Sequence, residues 1–538
     1  MKNWFYQKNS ELIKSPVNKT FDDVLQMGDS EFSAWVASLC SEVTRIWDEL
    51  GIPPRVGVDE DEIKHQFSKM RNFPIYHPIN GFECVDVDTG EPDCIRNTST
   101  IGTCVNQWFP TMLTTKIVPA SNSSEPLSIY DHFKIPKYFD KMVHICKNNF
   151  QRDSFSLYST AVKKFLNTEN LREYLTQYHI KEDSAQAWVS SYESNRKFHE
   201  KSFDYWIQPI ERKPPSDLLT MTQEDLDAIV DRIPEHCKKN VDSNTANFFV
   251  RVYEKNQHIF PLGIKAFRVS ICQYAANFPP LVAKYIYEKL SDEFKDQEKI
   301  LIWDPSAGWG GRILGAMSVE NDTRKIHYIG TDPNTDHNTE NGRTKYHELA
   351  DYYNKHTTTI FSNPTHTYEI YQCGSEDMRN QESFHKYRGK LDIVFTSPPY
   401  FSKETYSTSE TQSTTKFTTF DAWVDGFLKP TLETAVEWLA PNRYLLWNIS
   451  DVKIGGEVLP LEKVSNDILR SLGMEYVKTL KMLLAQHPNQ KTVREHVHEG
   501  DNSTYSNFCR VLEPKKGAKL STKSTLVKYE PIFVYRKV

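Results

Sequence analysis

The second half of the chain alternates short apolar runs with stretches that have amphipathic, helical spacing. Five of the apolar runs are predicted to be strands: 300–303, 325–332, 368–373, 391–396 and 443–449. Apolar strands that alternate with helices indicate βαβ units and a mostly parallel sheet with both faces covered. The pattern therefore predicts an α/β fold with a Rossmann-like, mostly parallel sheet over residues 256–538.

The first half of the chain has a different pattern. Apolar side chains recur at three- and four-residue steps over residues 31–50, which predicts an amphipathic helix, and residues 155–239 are mostly helical in pattern, with breaks near Pro209 and Pro214. A chain of 538 residues also exceeds what one core usually accommodates. We therefore predict a separate, mainly helical N-terminal domain over residues 1–255.

The composition indicates a cytoplasmic protein with reduced thiols. No apolar run is long enough to span a membrane and the N-terminus starts no secretory signal, so we expect neither a membrane protein nor a secreted one. The nine cysteines form no CxxC pair. His77, Cys84, Cys94 and Cys104 share one stretch, but their spacing lacks the close ligand pairs of structural zinc sites, so no metal is predicted.

A Ser-Pro-Pro-Tyr turn ends the strand at 391–396. Pro398 and Pro399 lack backbone N–H groups, so the turn offers carbonyl acceptors without competing donors. Tyr400 adds a flat face on which a heteroaromatic ring can stack, and Ser397 adds another hydrogen-bonding group. An exocyclic amino group on a stacked base fits this set, which makes these four residues the candidate catalytic group.

A glycine-rich turn lies between the first strand and the helix that follows it, from Asp304 to Gly311. Glycines let the backbone approach a ligand closely, and the helix N-terminus presents unpaired N–H groups. Such a turn alone is weak evidence, because glycines also serve to pack a strand against a helix. The second strand ends at Asp332, about 20 residues beyond Gly310, where dinucleotide folds place the acid that binds ribose.

Taken in order, these segments resemble the S-adenosylmethionine-dependent amino-methyltransferases of DNA, which methylate cytosine N4 or adenine N6. The similarity is strongest to a stand-alone bacterial or phage type and covers about 265–538. It includes these further segments: Asn277-Phe278-Pro279-Pro280, Tyr406-Ser407, Glu410 to Ser413, Trp423 to Pro430 and Tyr529 to Arg536. The resemblance implies a Rossmann-like methyltransferase domain.

The resemblance also implies S-adenosylmethionine as the cofactor and assigns its contacts. Asn277 and Phe278 resemble the segment at the methionine end, Asp332 resembles the ribose acid, and Asp377 resembles the residue near the adenine. The cofactor loop of the family corresponds to the glycine turn, with Asp304, Ser306, Gly308 and Gly310 as candidate binding residues. The catalytic motif corresponds to Ser397, Pro398, Pro399 and Tyr400.

The first residue of the catalytic motif bears on the target base. Serine is more usual there in cytosine-N4 enzymes, so we expect methylation of cytosine N4 on a flipped base, with adenine N6 as the alternative. An RNA or protein-glutamine methyltransferase would share the amino-group chemistry. A non-catalytic DNA-binding subunit is a further alternative, although an intact cofactor loop and catalytic turn argue against lost activity.

Double-stranded DNA is the expected partner, and the charge distribution suggests where it binds. The chain has a net charge of −6, but Lys and Arg outnumber acids over residues 481–538, which include a predicted basic insertion at 485–528. The alternative is a solvated basic tail. Residues 401–419 are rich in Ser and Thr, and we expect substrate to order them. The candidate DNA contacts are Lys403, Lys416, Lys515, Lys516, Lys519 and Lys523.

The preferred role for residues 1–255 is DNA recognition or docking, by elimination and size. Only about 85 residues separate the glycine turn from the catalytic motif, too few for an inserted recognition domain. A fused nuclease is the alternative, because Glu62-Ile63-Lys64 is an ExK triplet, but it lies in an apparent helix without a flanking strand. The sequence leaves open the oligomeric state and any restriction or other modification partner.

Overall fold

The computed structural model divides the chain into two compact units. One comprises Met1–Gly51 and Asp131–Cys272, and the other Ile52–Tyr130 and Gln273–Val538. Residues 52–130 belong to the same unit as the C-terminal sheet, and the predicted boundary near residue 255 lies outside the described residues. The described residues are 15–19, 21–50, 60–73, 82–96, 101–118, 125–141, 143–144, 275–294, 297–319, 325–357, 366–484, 507–514 and 520–538.

The regular elements of the described ranges are numbered here in chain order. The helices are α1 (Phe21–Gln26), α2 (Asp29–Leu50), α3 (Glu60–Arg71), α4 (Ile129–Lys134), α5 (Pro280–Ser291), α6 (Gly311–Met317), α7 (Lys345–Thr357), α8 (Ser413–Lys416), α9 (Phe420–Trp423), α10 (Lys429–Trp438) and α11 (Leu461–Ser471). The strands are β1 (Glu83–Cys84), β2 (Cys94–Arg96), β3 (Lys116–Ile117), β4 (Lys299–Asp304), β5 (Lys325–Thr331), β6 (Thr367–Tyr371), β7 (Leu391–Thr396), β8 (Glu404–Thr405), β9 (Leu439–Asn448), β10 (Val452–Ile454), β11 (Glu457–Leu459), β12 (Met474–Leu483), β13 (Asn507–Pro514) and β14 (Leu520–Lys537). None of these helices is long and apolar enough to cross a membrane.

In the first unit, α2 confirms the amphipathic helix predicted over residues 31–50. Phe32, Trp35, Leu39 and Val43 are buried, as expected for one face of a helix with apolar residues at three- and four-residue steps. The Trp35 indole donates to the carbonyl of Val17 at 2.9 Å. The helices predicted within residues 155–239 lie outside the described residues.

In the second unit, the five predicted strands are confirmed as β4, β5, β6, β7 and β9, and they form the parallel centre of the sheet. The order across this part is β6-β5-β4-β7-β9-β14-β12, with β14 antiparallel to both of its neighbours. Numbered along the chain, these strands run 3-2-1-4-5-7-6, which differs from the 3-2-1-4-5-6 order of dinucleotide folds by the inserted antiparallel strand. The predicted α/β fold with a Rossmann-like, mostly parallel sheet is therefore confirmed.

Packed layers cover both faces of β7, which explains why this strand is mostly apolar. The ring of Phe395 on β7 packs against Phe278 and Tyr287, with centroids 5.3 and 5.9 Å apart. Its neighbour Val394 belongs to a buried cluster on the opposite side that includes Trp438 of α10. A strand buried on both faces needs a near-continuous apolar run, and this run marked β7 in the sequence.

The far edge of the sheet closes into a small ring of strands with a contribution from the N-terminal half. The hairpin β1–β2 joins β12 in parallel, and β13 pairs with β14. The N–H of Val87 donates to the carbonyl of Arg510 at 2.8 Å, which links the hairpin to β13 and completes the ring. The interior is apolar and sulfur-rich: Cys84, Cys94, Leu483, Cys509, Val511 and Val527.

Of the zinc candidates weighed in the sequence, Cys84 and Cys94 lie opposite each other on β1 and β2. Cys104 lies elsewhere, against the hydroxyl of Tyr353 at 3.4 Å, and His77 lies outside the described residues. Cys94 also meets Cys509, 415 residues away, with 3.8 Å between the sulfur atoms. A disulfide has an S–S distance of about 2.05 Å, so this contact joins two free thiols.

We predict that Lys481 is essential for holding the N-terminal hairpin in place. Its ammonium pairs with the buried Asp86 and, at 3.0 Å, with Asp93. Lys481→Met leaves these carboxylates without a counter-charge. The substitution is therefore expected to lower the free energy of unfolding by about 3 kcal/mol. Urea denaturation measures this loss.

The matched control for that measurement is Lys463→Met. Lys463 and Asp467 form an exposed pair on α11, with 75% and 53% of their side chains exposed, so the loss is expected to stay below about 0.5 kcal/mol. Equal effects in the two variants would contradict the assigned role of Lys481.

Candidate active site

The carboxylate of Asp304, at the carboxyl end of β4, is fully buried and accepts four hydrogen bonds. Arg312 Nε and the hydroxyl of Tyr328 donate to one oxygen at 2.8 and 2.6 Å. The hydroxyl of Thr396 and the N–H of Ser306 donate to the other at 2.7 and 3.2 Å. The carboxylate thereby joins β4, β5, β7 and α6, and the structure gives Asp304 a supporting position behind the site.

The glycine turn is shaped by two close approaches. Gly310 has φ of +75°, and a Cβ there would lie 2.5 Å from the ring of Phe109. A Cβ on Gly311 would lie 2.1 Å from the carbonyl oxygen of Phe278. Asn277 fixes this crossing, because its amide donates to the carbonyl of Trp309 at 2.8 Å. Glycine is therefore required at 310 and 311 for packing.

Asp332 follows β5, as predicted, and its carboxylate faces the same cavity as the glycine turn. The N–H groups of Gly308 and Asn334 donate to its two oxygens, each at 2.9 Å. Burial raises the pKa of Asp332 to about 6, although these two N–H groups and the hydroxyl of Tyr346 act in the opposite direction. A carboxylate has about four acceptor positions, so Asp332 retains capacity for a donor on a ligand.

The Ser-Pro-Pro-Tyr turn lines the other side of the cavity. The hydroxyl of Tyr400 donates to Glu530 at 2.6 Å. Burial raises the pKa of both side chains, and the hydroxyl of Ser397 acts on Tyr400 in the opposite direction. Glu530 was not predicted from the sequence, although an acid beside Pro531 in an otherwise apolar closing strand is a recognisable signal.

The segment after the catalytic turn crosses the cavity to the cofactor-loop side. Tyr406 packs edge-on against Trp309 at 5.6 Å, and the hydroxyl of Thr411 donates to the carbonyl of Pro333 at 2.8 Å. Tyr406 also donates to Glu404, whose pKa is raised by burial. The structure describes residues 401–419 in full, and their ordering by substrate stays a prediction.

These elements enclose a cavity of about 380 Å³, a volume within the usual range for small-molecule sites. Its lining includes these predicted residues: Asn277, Phe278, Ser306, Gly308, Asp332, Ser397, Pro398, Pro399 and Tyr400. Gly310, Asp304 and Asp377 do not line it. Asp377 pairs with Lys416 at the surface, and its neighbour Glu376 lines the cavity instead, with Oε2 buried and without a hydrogen-bond partner.

The predicted DNA-contacting lysines that the structure describes are both engaged by the protein. Lys416 pairs with Glu376 at 2.7 Å and with Asp377 at 2.9 Å. Lys403 donates to the carbonyl of Val118 at 2.6 Å, and burial lowers its pKa. Lys523 lies in β14, but its side chain is outside the described structure. Three further lysines lie outside the described residues: Lys515, Lys516 and Lys519.

The sequence did not predict that residues 101–118 support the site. Phe109 packs against His337 and Tyr346 with centroids 5.1 and 5.0 Å apart, beneath the glycine turn. Burial lowers the pKa of His337 to about 4, so it is neutral at pH 7. Thr111 contacts the same imidazole at 3.0 Å. The cavity therefore depends on a segment about 200 residues upstream of the glycine turn.

Comparison with known proteins identifies no family. No protein-family model matches the chain, and no curated protein matches it. Among solved structures, TrmN from Thermus thermophilus shares 11% identity with a TM-score of 0.25, over 48% of this chain and 49% of that chain. A candidate DNA modification methylase, also from Thermus thermophilus and complexed with S-adenosyl-L-methionine, shares 19% identity with a TM-score of 0.18, over 30% and 52%.

A SAM-dependent O-methyltransferase from Thermotoga maritima shares 9% identity with a TM-score of 0.27, over 49% of this chain and 68% of that one. The matched region spans about half the length of the first two structures. The fold assignment therefore rests on the strand order described above, and any function must be argued from the cavity itself.

We predict that Asp304 is needed for folding of the site and not for ligand contact. Asp304→Asn leaves the buried guanidinium of Arg312 without its counter-charge, which is expected to lower the free energy of unfolding by about 3–5 kcal/mol. Chemical denaturation measures this change.

Asp351→Asn is the matched control for Asp304→Asn. Asp351 pairs with Arg343 at the surface, with about half of each side chain exposed, and its replacement should cost at most about 1 kcal/mol. A stable Asp304→Asn protein that has lost only ligand binding would place Asp304 in direct contact with the ligand.

Proposed function

We propose that the chain is an S-adenosylmethionine-dependent methyltransferase that acts on the exocyclic amino group of a flipped base in DNA, with cytosine N4 as the target. One observation carries the proposal. A single cavity joins a glycine turn and the carboxylate of Asp332, which suit a nucleoside cofactor, to a Pro-Pro turn with an aromatic face, which suits an amino-bearing ring.

The cofactor side of the cavity fits an adenosine group by its donors and acceptors. The carboxylate of Asp332 keeps acceptor capacity for the hydroxyls of a ribose. Glu376 has a buried, unpartnered Oε2, which can accept a hydrogen bond from an exocyclic amino group. In this respect Glu376 replaces Asp377, the residue that the sequence favoured. S-adenosylmethionine would supply an activated methyl group when bound.

The catalytic turn acts by holding the amino group. The carbonyl of Pro398 and the hydroxyl of Ser397 accept its hydrogens, while the ring of Tyr400 supports the base. These hydrogen bonds favour a more tetrahedral nitrogen, whose lone pair is less committed to the ring and is free to attack. Charge that develops on the nitrogen is stabilised by the same fixed acceptors, which is electrostatic stabilisation by preorganised groups.

The choice of DNA over RNA or protein, and of cytosine over adenine, rests on the resemblance of the motifs and on serine at position 397. Adenine N6 remains the alternative target, because adenine also carries an amino group on its ring edge. The enzyme must take the base out of the duplex, since the cavity lies at the edge of the sheet with the cofactor side behind it.

The decisive experiment is methylation of unmodified plasmid DNA by the purified protein with methyl-labelled S-adenosylmethionine. Mass spectrometry of the nucleosides should find labelled N4-methyl-deoxycytidine. Labelled N6-methyl-deoxyadenosine would move the target to adenine. Label that enters RNA or protein but not DNA would contradict the proposal.

The same assay separates the roles of the two sides. Tyr400→Ala removes the stacking face and should lower turnover by about 1–3 kcal/mol in activation free energy, while calorimetry shows unchanged cofactor affinity. Lys463→Met, at an exposed residue that does not line the cavity, serves as the active control.

We predict that cofactor binding strengthens as pH rises through about 6. The ribose hydroxyls donate to Asp332, which accepts best when ionised, and its pKa is about 6 in the free protein. Between pH 7 and pH 5 the dissociation constant for S-adenosylmethionine should therefore rise about tenfold. Asp332→Asn should bind weakly at every pH. If the dissociation constant of Asp332→Asn varied with pH in the same way as that of the wild type, the titration would belong to another group.

A further inference from the structure

Three neighbouring strands present polar groups in a row along the base side of the cavity. Thr396 on β7 is in register with Trp447 on β9, so the next residues, Ser397 and Asn448, lie side by side at the ends of these parallel strands. Asn448 is in turn in register with Ile532 on β14. Glu530 lies two positions from Ile532 and therefore projects from the same face. All three polar residues of this row line the cavity: Ser397, Asn448 and Glu530.

The orientation of the Asn448 amide is fixed by a group that can only accept. Its NH₂ donates to the carbonyl of Pro531 at 2.9 Å, and a carbonyl cannot donate in return. The amide oxygen must then point away from Pro531. Asn448 is 1% exposed, and its Oδ1 is buried without a hydrogen-bond partner among the described residues. A buried unpaired acceptor in a ligand cavity indicates a bond that is completed by the ligand.

Glu530 is placed to donate a hydrogen bond in its neutral form. One of its oxygens accepts from Tyr400, which leaves the other for a proton. Burial raises its pKa, and the nearby carboxyl of Glu404 is also held at a raised pKa, in part by Glu530. Lys528 on the same strand and Tyr400 both favour the charged form of Glu530. The charge of Glu530 in turn contributes to the raised pKa of Glu462.

We propose, on the basis of the function proposed above, that Asn448 and Glu530 read the amino edge of the flipped base. Asn448 Oδ1 accepts an amino hydrogen, and the neutral carboxyl of Glu530 donates to the neighbouring ring nitrogen. Because the amino group has only two hydrogens, Asn448 shares one of them with the neighbouring hydroxyl of Ser397, and Glu530 supplies a donor to the ring nitrogen.

This acceptor–donor pair matches one class of base edge. Cytosine presents an amino donor beside the N3 acceptor, and adenine presents an amino donor beside the N1 acceptor. Uracil, thymine and guanine present a carbonyl beside a ring N–H. Their carbonyl would face the Asn448 oxygen, which is also an acceptor, and their N–H would face the Glu530 proton, which is also a donor. A site built to hydrogen-bond its substrate rejects an analogue with the wrong pattern strongly, because buried groups are then left unpaired. The pair therefore selects amino bases before any methyl transfer.

The test uses a duplex that contains a site methylated by the wild-type protein, with single-turnover rates measured from pH 5.5 to 9. Ionisation removes the donor, so the wild-type rate is expected to fall as the pH rises through the raised pKa of Glu530. Glu530→Gln keeps a donor that does not titrate, so it should remain active and lose this high-pH decline. Glu530→Ala should be about 10- to 100-fold slower at low pH. A decline that persists unchanged in Glu530→Gln would overturn the role of Glu530.

A base analogue tests the contact itself. Replacement of the target cytosine by 3-deazacytosine removes the ring acceptor and should slow the wild type about as much as Glu530→Ala does, with little further loss when the two are combined. If adenine is the target, 1-deazaadenine serves the same purpose. Additive losses would mean that Glu530 does not contact the ring nitrogen.

Asn448→Ala should lower the turnover rate about 10- to 100-fold with unchanged affinity for S-adenosylmethionine, which shows that the cavity has folded. Asn466→Ala is the matched control: its amide is also partly buried and hydrogen-bonded, to Tyr535 and Glu462, but does not line the cavity. Unchanged turnover in Asn448→Ala would overturn its role. If the wild type methylates no DNA, the proposed function fails; if it does and the variants behave as the wild type, only the present inference fails.

Discussion

The four hydrogen bonds to the buried carboxylate of Asp304 hold the two sides of the cavity in register. The glycine turn reaches one of its oxygens through the N–H of Ser306, and the strand that carries the catalytic turn reaches the same oxygen through Thr396. The distance between a cofactor and a base would be set by this shared atom. Since Arg312 and Asp304 are both buried, each ion satisfies the other, and loss of either leaves an uncompensated charge in the core.

A second consequence follows from the order of the strands. Because parallel strands end at one edge of the sheet, residues 304–311, 332 and 397–400 gather there although they are dispersed along the chain. The antiparallel strand β14 adds to this row from the opposite direction, which is how Glu530 arrives beside Tyr400. If β14 were parallel to β9, its first residues would lie at the opposite edge of the sheet. The inserted strand is thus the reason that the base side carries an acid.

Much of this arrangement could be predicted because its signals are local. β4 and β7 are mostly apolar, and each motif directly follows its strand, so spacing located Asp332 and residue types located the catalytic turn. The support from Phe109 and the pairing of β2 with β12 have no local signal, since their partners lie hundreds of residues away. Spacing does not decide whether Asp377 or the adjacent Glu376 faces the cavity, because this depends on the backbone conformation after β6. The pairing of Lys416 with both acids depends on tertiary structure, which composition does not specify.

The strand ring at the edge of the sheet also affects how the protein is made. Cys94 on β2 lies opposite Lys481 on β12 in the sheet. At about 5–20 residues per second, a ribosome needs roughly 20–80 s to add the chain between them. Throughout that interval the hairpin formed by β1 and β2 has no strand to pair with, and its open edge can pair with other nascent chains. Closing so long a loop also slows folding. In the folded protein β12 and the bridge from Asp86 to Val511 of β13 cover this edge, so the exposure belongs to the nascent chain alone.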